Sequence, residues 1–504
     1  MRNYFSIFPV ICAAAVLFGA GPAGLVSAAA SAGPHDVDYD AVDGYIRSTM
    51  ASDHIPGLAV SVVQNGSIVY LKGYGVAAPD GRPVTPQTPF ILGSTSKSFT
   101  ALAVMQLVEA GKIELDAPVT RYLPWFRTRN AQESARITVH HLLHHTSGLQ
   151  TYDGLQGLRD NDQSSMALEN GVRELSRAQL GQPPGERYEY ANQNYNALGL
   201  IVQMVSGMSY EEYVRSAIFR PLQMHHSAAT LSDAAVADVA VGYRQWLVWP
   251  VAFDAPYPRR MTPAGFLISS AEDLSHYVAA LLNGGVYEHS QLLSPSGIGT
   301  LHTPASRISP EISYGMGWAI RSTPRSTTIW HDGDVSNFHS HLRLLPDRHL
   351  GLIVLMNVGG SEHSTPVNEL VSGIAAAVLA QGQVPHDRSI RTTLSRLAVM
   401  VPCVIALSWA GWCYRSLRRW QRRGEPTPRR LRRSWQLYAP LAVELSSVGA
   451  IWILLPAAMQ TPVAAIALFA PDVAAVAVIT TVVALGCATA RTLFAIIRQH
   501  NAEQ

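Results

Sequence analysis

Strands predicted at both ends of the first 385 residues, with a long helical stretch between them, make this chain an α+β protein built on one antiparallel sheet. The expected architecture is a five-stranded antiparallel sheet flanked by N- and C-terminal helices plus a mainly helical subdomain, followed by a C-terminal bundle of about three transmembrane helices. Three observations carry it. An Asn65-Gly66 turn joins two alternating apolar runs near the start, a helical period dominates from Ser94 to Asn283, and the composition changes after Leu394 to long apolar runs.

In chain order, Arg2, the apolar run Tyr4 to Ala20, the Gly21-Pro22 break and the small residues Ala28 to Ala32 read as a secretory signal over 1–32. The cut is expected after Ala30 or Ala32, with a retained N-terminal anchor as the alternative. The exported domain is expected over 33–385. Asp36 to Met50 has the spacing of an amphipathic helix, and Gly57 to Gln64 with Ser67 to Tyr74 forms the hairpin. Three further strands are expected around Gly315 to Arg321, Phe338 to Leu345 and Leu350 to Met356, with a closing helix from Pro366 to Ala380. A cleft between this sheet and the helical wall is where a site belongs.

The region 386–504 holds apolar runs at Leu397 to Trp412, Leu437 to Met459 and about Val463 to Ala490. Pro471-Asp472 is expected to start a helix there or to split the run. Nine arginines against Glu425 in the loop 415–433 put +8 there, so the rest of a +2 chain carries −6. By the positive-inside rule the loop and C-terminus are cytoplasmic, and the domain lies on the extracytoplasmic side of the cytoplasmic membrane. Apolar runs on both sides of the arginines argue for anionic lipid headgroups as their partner and against nucleic acid. Glu444 and Asp472, inside or near the runs, read as interhelical or interfacial hydrogen-bonding groups. The four cysteines, Cys12, Cys403, Cys413 and Cys487, all lie outside 33–400, so the exported domain relies on neither a disulfide nor a thiol nucleophile.

Ser94-Thr95-Ser96-Lys97, just before the apolar pattern Phe99, Leu102, Ala103, Met105, places a serine and a lysine on one face of a first helical turn. A serine hydroxyl needs a base to take its proton, and desolvation or nearby positive charge turns a lysine into one. A helix N-terminus favours the oxyanion of acyl transfer. Tyr190 and Asn192, two apart, follow a Pro/Gly-rich turn and precede another helical pattern. The phenol is a candidate general base, and the amide can hold both a lysine and a substrate carbonyl. Thr327 to Gly333 is a β-rich run ending in His331 and Gly333, a histidine facing the site and a glycine that admits close approach of a substrate backbone. The order Ser-x-x-Lys, Tyr-x-Asn, His-x-Gly over one domain's length argues for a single site.

On these motifs the chain resembles the serine β-lactamase and penicillin-binding superfamily, on the branch of class C β-lactamases, D-alanyl-D-alanine carboxypeptidases and related esterases. Ile137 to Leu149 and Tyr314-Gly315-Met316-Gly317-Trp318 resemble two further segments of that branch, and the similarity spans about Asp36 to Gly382. The resemblance implies a β-lactamase/transpeptidase-like fold and a serine hydrolase that needs no cofactor. It further implies Ser94 as nucleophile, Lys97 as proton partner and Tyr190 as general base. Asn192, His331 and Gly333 would bind substrate, and the backbone N–H groups of Ser94 and Asp334 would form the oxyanion hole. The expected substrate is a small molecule or peptide: a cell-wall D-peptide, a β-lactam, or a small or lipid ester.

Two departures stand out. Asp334 and Asn337 occupy expected glycine positions, and a carboxylate beside an oxyanion hole opposes developing negative charge unless it points away. Histidine replaces the lysine of the third motif, so a permanent cation facing a substrate carboxylate becomes a titratable one. The alternative to a hydrolase is therefore a catalytically weak or inactive ligand binder coupled to a membrane partner. His140 with His144 and His141 with His145 sit at the i, i+4 spacing of zinc ligands. No metalloprotease glutamate or third ligand accompanies them, so they read as structural, with His145 to Gly148 forming a capped turn, and no metal is expected. Gln245 to Pro250 is either a substrate wall or buried core.

Overall fold

The computed structural model describes residues 39–246, 249–359, 364–378, 404, 408–415, 418, 430–459 and 461–503. The described residues form two compact units, the larger within 39–378 and the smaller within 404–503. The expected signal 1–32, most of the run Leu397 to Trp412 and most of the arginine-rich loop 415–433 lie outside the described residues.

The larger unit opens with α1 (Tyr39–Asp53), then β1 (Gly57–Gln64) and β2 (Ser67–Gly75) joined at Asn65-Gly66. Both turn residues have positive φ, 52° at Asn65 and 76° at Gly66, as the expected tight hairpin requires. The short strand β3 (Phe90–Ile91) leads into α2 (Ser96–Glu109). Among the helices that follow are α3 (Val139–Leu143) and α4 (Asn192–Ser206). Next come β4 (Tyr243–Trp246), β5 (Trp249–Ala252), β6 (Ile268–Ser269) and α5 (Ala271–Leu282). The chain then returns to the sheet as β7 (Ser306–Arg307), β8 (Ser313–Tyr314), β9 (Ala319–Thr323), β10 (Ser326–Val335), β11 (Phe338–Leu345) and β12 (Leu350–Met356), with β13 (Val358–Gly359) and α6 (Ser364–Val378) closing the unit.

The main sheet has eight strands, not five, in the order β2-β1-β12-β11-β10-β9-β8-β7, every neighbour antiparallel. The five-strand expectation did not count the β-rich run Thr327 to Gly333 as a sheet strand, yet this run pairs on both sides as β10. It also merged two elements at Gly315 to Arg321. There Tyr314 ends one strand and Ala319 starts the next, and Gly317 turns between them with φ 80°, its backbone against Lys97 and Ser98.

One face of this sheet carries the aliphatic core. Val42, Ile46 and Met50 of α1 pack with Leu58, Val60 and Val62 of β1, Leu352, Val354 and Met356 of β12, and Leu370, Val371 and Ile374 of α6. Burial of each such side chain contributes roughly 1.5–3 kcal/mol before entropy is counted. The opposite face meets the helices: Ser275 of α5 donates to Ser61 at 2.7 Å, and Phe99 of α2 stacks on Tyr277 with centroids 4.0 Å apart. The first ten residues of α2 are all buried, so this helix runs through the interior as the spine of the helical layer. Of the Gln245 to Pro250 segment, Gln245 is buried and 247–248 lie outside the described residues. Trp246 of β4 and Trp249 of β5 are 41% and 63% exposed.

In the C-terminal unit, α7 (Arg430–Met459) covers the second expected run, and α8 (Val463–Phe469) with α9 (Pro471–Glu503) covers the third. Among the described residues one helix is long and apolar enough to cross a membrane, Pro471–Phe494, with mean hydropathy 2.2; the apolar part of α7, Leu441–Ala457, is a shorter stretch. The last apolar run is broken at Ala470, and Pro471 starts a new helix there, because a proline at the first helical position has no N–H to lose. Glu444 accepts from Arg491 Nε at 3.2 Å and from Trp409 Nε1 at 3.3 Å, the interhelical bonding expected of it.

Gly333 of β10 shows how tightly the sheet meets the segment before α2. A Cβ there would lie 1.9 Å from the Leu92 carbonyl oxygen and 2.3 Å from Ser340 Oγ. Gly333→Ala is therefore expected to destabilise the domain by more than about 2 kcal/mol, read as a lowered thermal midpoint, because neither backbone can yield.

Candidate active site

Ser94 sits in a 3-10 turn, Gly93–Thr95, that runs directly into α2. Gly93 has φ 56°, and a Cβ on it would lie 2.6 Å from the backbone nitrogen of Asp334. Only glycine satisfies both demands, and the consequence is that the segment carrying Ser94 lies against the strand carrying Gly333 and Asp334. Thr95 Oγ1 donates to the Leu92 carbonyl at 2.8 Å and lies 2.9 Å from Ser340 Oγ on β11, fastening the turn to the sheet.

Lys97, one turn on, is fully buried. Its Nζ lies 3.0 Å from Ser94 Oγ, 2.8 Å from Asn192 Oδ1 and 2.6 Å from the Ala264 carbonyl oxygen, three neutral acceptors. The Tyr190 ring centroid is 4.7 Å from the same Nζ and the Tyr195 centroid 5.7 Å. Tyr190 and Asn192 thus reach the lysine from the start of α4, whose N-cap is Ala191 rather than Asn192. The asparagine amide is free of a capping role because it accepts from the lysine instead.

His331 enters from β10. Its Nδ1 is 2.6 Å from the carbonyl oxygen of Asp332 and its Nε2 is 3.0 Å from the Tyr314 hydroxyl. A carbonyl only accepts, so Nδ1 carries the proton and Nε2 accepts from the phenol. Burial, helped by the charge of Lys97, pushes His331 down to about 4, so the ring is neutral near neutral pH. Its ring centroid lies 6.4 Å from that of Tyr190.

The two-residue alternation of β10 settles where Asp334 points. His331 and Gly333 face α2, whereas Asp332 and Asp334 face the other side, toward α6. Asp334 Oδ1 meets His339 Nδ1 at 2.5 Å and Asp332 Oδ1 meets His341 Nδ1 at 2.6 Å, each directly opposite its partner in the β10–β11 register. Burial lowers His339, but the Asp334 charge and hydrogen bond outweigh it and raise this imidazole overall. The carboxylate therefore turns away from the Ser94 side, while its backbone nitrogen stays beside Gly93. At the other expected glycine position, Asn337 Nδ2 donates to the Phe253 carbonyl at 3.1 Å.

Sequence motifs missed three contributors. The Ala264 carbonyl carries no side-chain signal at all. Tyr314 stood only in a segment of family likeness, and its contact with His331 arises from the pairing of β8 with β9 and of β9 with β10. His145 stood in a histidine-rich segment read as structural, yet its ring lies 4.4 Å from Tyr190. The i, i+4 relation holds for His140 and His144, whose ring centroids are 4.1 Å apart, but not for His141 and His145, because α3 ends at Leu143 and His145 has φ 56°.

The beta-lactamase family model matches residues 42–398. The chain belongs to the beta-lactamase family. Within the serine beta-lactamase and penicillin-binding superfamily, it is 28% identical over 403 residues to protein flp of Staphylococcus aureus (strain N315), covering 78% of this chain and 77% of that protein. It is also 28% identical over 342 residues to the unguisins hydrolase ungD' of Aspergillus campestris (strain IBT 28561), covering 65% of this chain and 62% of that one. Among solved structures it is similar to the octameric penicillin-binding protein homologue from Pyrococcus abyssi. The identity there is 29% and the TM-score 0.59, with 68% of this chain and 78% of that one covered. The eight-stranded antiparallel sheet with its helical layer is the alpha+beta fold of this beta-lactamase family.

Buried neutral imidazoles in this domain give a definite pH dependence. His144, His302 and His331 are each pushed down to about 4, in every case chiefly by burial. The unfolded chain, with imidazoles near 6.5, binds more protons between these values, so stability present above about pH 6.5 is lost as pH falls toward 4. At pH 5 each group costs on the order of 2 kcal/mol, and His339, shifted upward, works in the opposite sense as a single group. Thermal midpoints are expected to drop between pH 7.5 and pH 5; a flat profile contradicts the neutral burial of these rings.

Proposed function

We propose that this protein is a membrane-tethered extracytoplasmic serine hydrolase that acts by covalent acyl transfer on esters or amides. The observation that carries the reading is the position of Lys97 Nζ, 3.0 Å from Ser94 Oγ and 2.8 Å from Asn192 Oδ1 beside the Tyr190 ring. In this reading Ser94 Oγ attacks the substrate carbonyl carbon and its proton passes to the Tyr190 oxygen, the general base, with the Lys97 ammonium beside it favouring the phenolate. The backbone N–H groups of Ser94 and Asp334 hold the oxyanion. The proton is then delivered to the leaving alcohol or amine as its bond to carbon breaks, and water releases the acyl group by the same steps in reverse order.

Two observations support a hydrolase over a binder. The Asp334 carboxylate, the feature that kept a binder in view, pairs with His339 on the far side of the sheet. A relative at 28% identity is described as a hydrolase. Tethering is supported by the apolar helix Pro471–Phe494, and the outside placement of the domain by the nine arginines of 415–433.

The state of His331 narrows the substrate. A neutral ring that donates to the Asp332 carbonyl and accepts from Tyr314 offers no cation to a substrate carboxylate. Uncharged esters or amides thus fit the third motif better than β-lactams or peptides ending in a free carboxylate.

Incubation of the full chain with a fluorophosphonate probe is expected to label Ser94 stoichiometrically, and Ser94→Ala should abolish the label. Absence of labelling in folded wild-type protein by fluorophosphonate and fluorescent penicillin alike overturns the hydrolase reading. Tyr190→Phe should slow acylation by roughly a hundredfold, the scale of a lost general base. On a panel of p-nitrophenyl esters, nitrocefin and D-alanyl-D-alanine peptides, kcat/KM for the uncharged esters is expected to exceed the others by about tenfold or more, the scale of one absent charge-assisted hydrogen bond.

A further inference from the structure

We propose that His145 is a positioning residue of this site: its unprotonated Nδ1 accepts from the loop carrying Tyr190 and Asn192, and so fixes where the phenol lies over Lys97. The inference rests on the hydrolase reading above. Nδ1 of His145 is 3.2 Å from the backbone nitrogen of Ala191, the residue between the tyrosine and the asparagine, and 3.0 Å from Asn194 Nδ2. Both are donors, so Nδ1 holds a lone pair and the ring proton sits on Nε2. Asn194 is oriented by its other end, where Oδ1 accepts from Ser147 Oγ at 2.6 Å. The backbone takes part as well, since the His145 carbonyl accepts from the Glu189 N–H at 2.8 Å and the Thr146 carbonyl from the Gly185 N–H at 2.7 Å. A four-residue turn thus grips the loop on both sides of Tyr190.

The ring itself is the surface on which the tyrosine lies. Its centroid is 4.4 Å from that of Tyr190, 4.8 Å from Tyr314 and 5.2 Å from Tyr195. Complete burial holds His145 well below the usual histidine range, and the Lys97 charge adds to this, so the acceptor stays available at working pH. Its φ of 56° is uncommon for a residue with a side chain, and asparagine is among the few types that tolerate it. Such a backbone, held by bonds on every side, is the signature of a place where geometry is fixed for use.

An exchange of two substitutions separates positioning from mere filling of space. His145→Asn keeps an acceptor where Nδ1 stands but leaves a void; His145→Phe fills the void and removes the acceptor. Measured on an uncharged p-nitrophenyl ester with the full chain, His145→Asn is expected to keep kcat within about threefold of wild type. His145→Phe is expected to lose about tenfold or more in kcat, with KM within about twofold, since a misplaced proton-transfer group slows chemistry rather than binding. A Phe variant as active as wild type, or an Asn variant as impaired as Phe, overturns the proposal. Should His145→Phe fail to melt cooperatively, Asn194→Ala takes its place. It removes one donor to Nδ1 and is expected to lower kcat by about threefold, an unchanged kcat counting against the proposal. Wild-type protein whose Ser94 takes no acyl probe sinks the hydrolase reading and this inference together; a labelled wild type with a fully active Phe variant sinks this inference alone.

Discussion

A buried lysine with neutral partners organises this domain. An ammonium taken out of water needs its donors met, and Lys97 meets Ser94, Asn192 and the Ala264 carbonyl from three separate stretches of chain. Each stretch is then committed. The turn at Gly93 must abut β10, α4 must begin at Asn192 so that its side chain reaches the lysine, and the segment before β6 must present a bare carbonyl. The hydroxyl of Ser94 lies beside this lysine only because these commitments are met together.

Strand β10 divides the labour between the two faces of the sheet. Its inward residues, His331 and Gly333, face the helical layer, and its outward residues, Asp332 and Asp334, bind His341 and His339 on the neighbouring strand. A one-residue slip would exchange these sets, placing carboxylates beside the serine and the imidazole in the aliphatic side of the core. The two cross-strand Asp–His pairs thus hold the register on which the site depends, and the imidazole tautomer on the inner face follows from the Asp332 carbonyl it touches.

Much of the site was legible in the chain because Ser-x-x-Lys, Tyr-x-Asn and His-x-Gly are short local patterns whose spacing reflects one helical turn, one loop and one strand. The hairpin at Asn65-Gly66 and the helix start at Pro471 were legible for the same reason: turn and cap chemistry is local. The extent of the sheet was less legible, because short strands such as β7 and β8 carry only two residues of pattern each and are defined by pairing with partners elsewhere in the chain. The apolar runs after Leu394 were read as three spans. Among the described residues one of these runs, Pro471–Phe494, is a helix long and apolar enough to cross, and the break before Pro471 is the one its proline foreshadows.

By itself the sequence determined the chemistry available: a serine and a lysine one turn apart, a phenol and an amide on one loop, an imidazole on a strand, and no thiol between 33 and 400. These are properties of residue type and near-neighbour spacing. Tertiary structure alone decided which way Asp334 faces, that His331 stands neutral between a carbonyl and a phenol, and that His145 underlies Tyr190. Each of those depends on groups distant in the chain meeting across a strand register or a loop closure. Burial and partner geometry, which set charge and orientation, exist only once the layers have packed.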